Sequence, residues 1–324
     1  MQPYQINPEV LQLLPGQGFE RPRGLRIYKA PLVIATRGLP QRGFYAAFCT
    51  EDVLYPEVYF GISIPRQQLH LAHYLNGILN SSLATYFLFL TASAWGVERD
   101  EVKPEDLKPL PIPTPVQEQK TIVDCIIETE ELLRQSPEDS NWVLLQKRLN
   151  NAVFDLYGLD ETERILVEDT VNLIIDLKMK REKSPALKYP KLTELETYSL
   201  HLIDVIQPFL KTLNERKMVA DVFNISKAPL QVVKFSIVSN PSHRPVVQTV
   251  EIENLEAVLE GIARQLPQRI ADRVYTRRNL RIYAGDDLYV VKPAQRRYWS
   301  RSAGLNDADM IIAEHLGTNR DSIK

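Results

Sequence analysis

Side chains able to hold a polyanion gather late in this chain. Between Arg264 and Arg301 stand ten basic side chains against three acidic ones. Arg277, Arg278, Arg281, Arg296, Arg297 and Arg301 are interleaved there with Tyr275, Tyr283, Tyr289, Tyr298 and Trp299. Guanidinium groups pair with phosphate oxygens and aromatic rings stack on bases, so the composition suits nucleic acid. A plainer reading has the arginines paired with carboxylates of their own domain and Tyr298-Trp299 packed inward. A second set lies early. Arg37 and Arg42 flank Arg37-Gly-Leu-Pro-Gln-Arg-Gly43, a turn by its glycines and proline, where exposed backbone and two cations suit phosphate or base-edge contact. The alternative there is a solvated hairpin tip. Trp95 and Arg99 are four positions apart, so a helical turn would present a flat ring and a forked donor together. The competing arrangement puts Trp95 in the core and Arg99 on Asp100 or Glu101.

Other chemistry finds less support. His70 and His73 share a helix face, but no third ligand follows at zinc-like spacing. A PD-(D/E)xK nuclease needs an acidic pair and a lysine two residues past the second acid. Asp286, Asp287 and Lys292 approach that pattern, but Val290 stands where the acid belongs. Asp307 and Asp309 read as helix-start residues. No Ser-His-Asp or Cys-His arrangement appears. Cys49 and Cys125 have no metal-ligand spacing and read as small buried hydrophobes in a reducing compartment. No metal or cofactor is expected.

The elements that must carry these residues follow from period and punctuation. Strands are expected over Leu25 to Ile34 and Phe44 to Phe48, and one or two more over Val53 to Ile64. The apolar spacing of Ile78, Leu79, Leu83, Phe87 and Leu90 predicts one helix over Asn76 to Leu90. Prolines at 104, 109, 111, 113 and 115 then hold the chain extended. Thr114-Pro115-Val-Gln117 reads as a capped helix start, Asn141 as the start of a second helix stopped at Gly158, and Asp160 with Glu163 as a capping box for a third through Leu177. Three helices with short joins predict an antiparallel bundle. Lys178 to Lys188 is charged and proline-broken, a domain boundary. Beyond it the pattern gives a helix over Leu192 to Leu213, bent at Pro208, and strands over Met218 to Ile225, Leu230 to Val238 and Val246 to Ile252. Asn240 to Pro245 turns between the last two. A helix over Asn254 to Leu266 and two strands, Leu280 to Tyr283 and Leu288 to Val291, complete the chain.

The expected class is α+β, with a mixed or antiparallel lobe at 1–115, an antiparallel helical spacer at 116–185, and an α+β domain with an antiparallel sheet at 186–324. Charge is near balance, with 39 basic and 41 acidic side chains, so no global field draws in a polyanion. The balance is uneven along the chain: ten against ten in 1–115, ten against fifteen in 116–188. The longest apolar run, Leu83 to Trp95, is too short to span a bilayer, and no signal sequence opens the chain, so a soluble, cytoplasmic protein is expected.

Several stretches together carry a resemblance. Leu79-Asn80-Ser81 precedes an aromatic-rich helix, Trp95-Gly-Val-Glu-Arg-Asp-Glu101 follows, and the run closes on Leu110-Pro-Ile-Pro113. Upstream stand Ala30-Pro-Leu-Val-Ile-Ala-Thr-Arg-Gly38, Ala46-Ala-Phe48 and Val53 to Ile62; downstream stands Leu149-Asn-Asn-Ala-Val-Phe-Asp-Leu-Tyr-Gly-Leu159. This text, over roughly residues 19 to 177, resembles the target-recognition region of adenine-specific DNA methyltransferases of restriction-modification type. In that family the region follows the catalytic domain and closes the DNA-recognition lobe, with the later helices as spacer. The family's catalytic tetrad, (N/D/S)-P-P-(Y/F/W), is missing, since the chain has no Pro-Pro dipeptide. No glycine motif for S-adenosylmethionine is present either; Gly16-Gln-Gly18 is a lone pair. The resemblance therefore implies a non-catalytic specificity module that binds double-stranded DNA and works with a catalytic methyltransferase subunit or domain. A protein-protein scaffold in such a complex is the alternative, and a nuclease subunit a third.

Overall fold

A computed structural model describes residues 3–6, 24–39, 43–97, 99–135, 140–211, 216–225, 228–239, 244–252, 255–265 and 279–321. The class is α+β, and the chain divides into two compact units, 1–171 with 178–180, and 172–177 with 181–324. Gly16, Gly18 and Tyr275 lie outside the described residues.

In the first unit, strands β1 (Tyr4–Gln5), β2 (Leu32–Thr36), β3 (Ala46–Cys49) and β4 (Tyr59–Ser63) form a sheet in the order β1-β3-β2-β4. β2 is antiparallel to both β3 and β4, and β1 runs parallel to β3. The strand expected from Leu25 begins only at Leu32. Leu25–Tyr28 is a 3₁₀ turn, and Asp52, which also pairs with Lys29 Nζ (2.6 Å), accepts from the Ala30 amide (2.8 Å) and so occupies a backbone donor that a strand would need. Pro31 has no N–H to add to a ladder.

The single helix expected over Asn76 to Leu90 is two: α1 (Leu69–Leu79) and α2 (Ser82–Thr91). Ser81 is the reason. Its hydroxyl accepts from the Ala84 amide at 3.2 Å, so the chain restarts with a side-chain cap instead of continuing. After α3 (Pro104–Leu107) come α4 (Lys120–Gln135), α5 (Trp142–Tyr157) and α6 (Glu161–Asp169). The capping box expected at Thr114 is absent; a 3₁₀ turn over Gln117–Gln119 leads in with Val116 at its cap. Gly158 closes α5 with φ +68°, and Asp160 and Glu163 cap α6 reciprocally, both as read from sequence. The three helices do not form a bundle of their own. α4 pairs with α5, while α6 packs on α2. Nor are α4 and α5 a detached spacer. Val123, Ile126, Leu133, Leu149, Val153 and Leu156 share one core with Tyr4, Tyr74 and Ile78. Gly77 permits the close approach of α1 to α4, for a Cβ there would stand 2.8 Å from Ile126 Cγ2. The expected linker is itself ordered: π-helical turns over Thr170–Ile175, α7 (Asp176–Lys180) and short 3₁₀ turns continue the chain.

Tyr74 is buried on α1 with its hydroxyl donating to the Pro113 carbonyl at 2.9 Å. Burial raises its pKa from 10 to about 12. The folded phenol therefore keeps its proton where the unfolded one has lost it. Stability from this group is complete below pH 10 and lost as the pH rises toward 12. Denaturant melts of wild type should weaken across that window, and Tyr74→Phe should flatten the loss; an unchanged profile would remove Tyr74 from the account.

In the second unit, α8 (Leu192–Lys211) is followed by β5 (Lys217–Asn224), β6 (Leu230–Val238), β7 (Val247–Glu251), α9 (Leu255–Gln265), β8 (Leu280–Ala284), β9 (Asp287–Pro293) and α10 (Arg301–Asp321). The sheet order is β7-β5-β6-β9-β8. It is mixed where an antiparallel sheet was expected. β6 is already paired on both sides, with β5 and β9, so β7 takes the outer edge of β5 and runs parallel to it. α8 and α10 cover one face through Leu195, Leu202, Ile206, Ala308 and Ile311 against Ala220, Val222, Val233, Phe235 and Val290. Val258 of α9 packs with Phe223, Val232, Tyr289 and Val291 on the other.

Candidate nucleic-acid interface

In the first unit two turns far apart in sequence meet edge to edge. Gly38 and Glu101 form an antiparallel bridge, the Leu39 amide donates to the Asp100 carbonyl (2.9 Å), and the Val102 amide donates to the Arg37 carbonyl (2.8 Å). The Arg37 amide donates in turn to the Val58 carbonyl at 2.8 Å. Arg37 Nε donates to Glu101 Oε1 at 2.6 Å, a bond that raises the arginine's pKa, while its side chain stays 41% exposed. Arg99, the residue before Asp100 of this rim, is exposed, and its amide donates to the Ala94 carbonyl at 3.3 Å. Arg42 lies outside the described residues.

The segment of Trp95 is a turn, not a helix, and the indole points inward. Trp95 is 2% exposed and meets the Phe89 ring edge-on at 5.5 Å between centroids. Its candidacy as a partner-facing ring is thereby corrected: burying an indole of this size serves packing. Nor does Arg99 take Glu101, which holds Arg37. Gly96, at φ +90°, adopts a conformation that glycine tolerates. Its carbonyl accepts from Lys178 Nζ at 2.8 Å, and Val97 beside it is 88% exposed.

The late basic segment divides. Arg277 and Arg278 lie outside the described residues. Arg281 is an internal ion pair: its side chain is 11% exposed and donates to both oxygens of Glu314, at 2.5 and 3.3 Å. Arg296 pairs with Glu194 at 2.6 Å, and its amide donates to the Lys188 carbonyl. Both guanidinium groups are thus engaged by carboxylates of their own unit, as Arg37 is by Glu101. Arg297 differs. Its guanidinium lies 4.7 Å from the centre of the Tyr298 ring and its Nε donates to Gln295 Oε1 at 3.0 Å. Arg301, half-buried, begins α10. Tyr289 and Trp299 are core residues.

The nuclease pattern is not assembled. Asp287 and Lys292 are five apart on β9 and so face opposite sides of the sheet. Asp287 accepts from Ser236 Oγ (2.6 Å) and Lys234 Nζ (2.7 Å), whereas Lys292 bonds Asp307 of α10. Among the described residues no group of three or more His, Cys, Asp or Glu side chains could hold a metal ion, and no helix is long and apolar enough to cross a membrane.

Sequence reasoning passed over the buried polar groups that hold the rim. Thr36 Oγ1 accepts from the Tyr45 amide (3.1 Å) and donates to the Tyr45 carbonyl (3.2 Å). The Asn80 side chain accepts from the Ala46 amide (3.1 Å) and donates to the Ala46 carbonyl (2.9 Å). Asn76 donates to the Tyr4 carbonyl and to Glu130, which is wholly buried. One signal was available: Glu130 falls on the apolar stripe of α4 with Val123, Ile126 and Leu133, where a carboxylate needs a partner. No family model matches the chain, and neither a curated protein nor a solved structure matches it.

Proposed function

We propose that the chain is a DNA sequence-recognition module of a restriction-modification or phage-defence adenine methyltransferase system, non-catalytic by itself and completed by a catalytic partner. The observation that carries the reading is the bridge at Gly38 and Glu101, which joins the turn of Arg37 and the segment that follows the exposed Arg99 into one rim. Forked donors on a firm backbone suit base edges, where phosphate contacts alone would carry no sequence information. The rim also holds Glu101 and Asp100, so it attracts DNA weakly and reads it selectively. Arg297, stacked on Tyr298, supplies a phosphate contact in the second unit. The internal pairs of Arg281 and Arg296 favour a second reading, a protein-protein scaffold.

Selection from a randomised duplex library, with the full chain and with its catalytic partner added, identifies the preferred site. Arg37→Ala or Arg99→Ala should then narrow the gap between that site and random duplex by about 1–3 kcal/mol, the worth of a bidentate base contact. Arg297→Glu should weaken binding to every duplex alike and flatten its salt dependence. A chain that enriches no sequence, and binds no duplex even at low salt, would be the scaffold instead.

A further inference from the structure

The β2–β3 hairpin that carries Arg37 is held by side chains where a sheet would ordinarily use backbone. β1 is two residues long and pairs only with Ala47 and Phe48 of β3. At Ala46, the next residue toward the turn, the edge of β3 is met by Asn80, whose amide gives and receives one hydrogen bond as a strand residue would. Asn80 is itself anchored: its Nδ2 also donates to the Asn76 carbonyl (2.8 Å) and Asn76 Oδ1 (3.1 Å), and Asn76 Nδ2 reaches the buried Glu130 at 2.6 Å. Across the same hairpin Thr36, 1% exposed, closes on Tyr45 with its hydroxyl. The backbone re-entering from the turn is thus gripped at Tyr45 and Ala46 by polar side chains from two sides, Thr36 of the neighbouring strand and Asn80 of the helix end. Such groups cost desolvation, and a satisfied polar network returns rigidity and a unique register.

We infer that Asn80 is a positioning residue for the recognition rim, with Thr36 as its counterpart on the neighbouring strand; the inference rests on the DNA-recognition reading. Asn80 touches no DNA. It sets the register of β3, β3 sets Thr36 and Arg37 through the ladder, and the Arg37 guanidinium is thereby aimed. Base readout depends on donor positions to a fraction of an ångström, whereas phosphate attraction tolerates looseness.

Asn80→Ala and, independently, Thr36→Val test this in the full chain, using the duplex selected by wild type and a random duplex as probes. Each variant should lower the preference for the selected duplex about tenfold, the scale of one base contact. Binding to random duplex and its salt slope should stay as in wild type. Hydrogen exchange should show the amide of Ala46 (for Asn80→Ala) or Tyr45 (for Thr36→Val) losing protection while the amides of α4 and α5 keep theirs. If Asn80→Ala does not fold, Thr36→Val decides. Loss of amide protection with the preference intact overturns the positioning role and leaves the recognition reading standing. A wild-type chain that selects no duplex overturns both.

Discussion

Asp307→Ala should cost the second unit about 3–5 kcal/mol of stability, the toll of leaving one member of a buried ion pair alone. Asp307 of α10 is 3% exposed and Lys292 of β9 is 4% exposed. Lys292 Nζ donates to Asp307 Oδ2 and to the Tyr298 carbonyl (3.1 Å), and lies 4.7 and 5.4 Å from the ring centres of Tyr198 and Trp299. Tyr198 OH donates to the same carboxylate oxygen, and Asn279 Nδ2 donates to the other at 2.6 Å. Burial pushes the Lys292 ammonium down in pKa and the Asp307 carboxylate opposes that shift. Without the carboxylate the phenol and the Asn279 amide lose this acceptor and the lysine is left with the Tyr298 carbonyl alone. Gly304 adds a geometric reason that α10 cannot drift to relieve the defect: a Cβ there would lie 2.6 Å from the Tyr198 carbonyl oxygen, so the helices are in contact at backbone level. Urea unfolding of the second unit's transition measures the cost. The paired replacement Lys292→Met with Asp307→Leu should be milder than either single change, because it removes both charges together. A loss under about 1 kcal/mol for Asp307→Ala would mean that the pair is solvated after all.

The corresponding expectation for the first unit is that His73→Ala destabilises it by about 1–3 kcal/mol, the cost of a buried acceptor that loses its donor. Glu130 is fully buried, and its two oxygens are held by His73 Nδ1 and Asn76 Nδ2, each at 2.6 Å. The second ring nitrogen of His73 stands 3.7 Å from Glu131, and the Phe48 ring meets the imidazole edge-on at 4.8 Å. Removing the imidazole leaves one oxygen of the buried carboxylate without its donor, and Asn76 holds the other alone. Glu130→Gln should be better tolerated, since a neutral amide costs less to bury. Thermal melts of the three proteins rank these cases. If His73→Ala melts with wild type, the carboxylate finds another partner and the network is not a keystone. The two sites share a design: a buried carboxylate ties its own helix to others, Glu130 of α4 taking donors from α1 in the first unit, and Asp307 of α10 taking donors from α8, β9 and Asn279 before β8 in the second.

Local signals determined much of this protein. The period of Leu192 to Leu213 found α8, alternation found β5 and β6 nearly to the residue, and Gly158 and Asp160 ended and began their helices as capping chemistry requires. These features depend on neighbours a few residues away, which a sequence displays. One local signal was outweighed by the hydrophobic period, and tertiary structure decided the rest. Ser81 split a helix that hydrophobic spacing would have continued, and β7 left its hairpin for a parallel edge because both sides of β6 were taken. The partners of the polar groups were also invisible: Arg37 with Glu101, His73 with Glu130, Lys292 with Asp307 and Arg281 with Glu314 are joined across 64, 57, 15 and 33 positions. Which of several arginines is spent on a carboxylate of its own unit, and which is left facing outward, depends on such pairings. A desolvated charge takes whatever partner the packed chain brings within reach, and that proximity is a property of the fold.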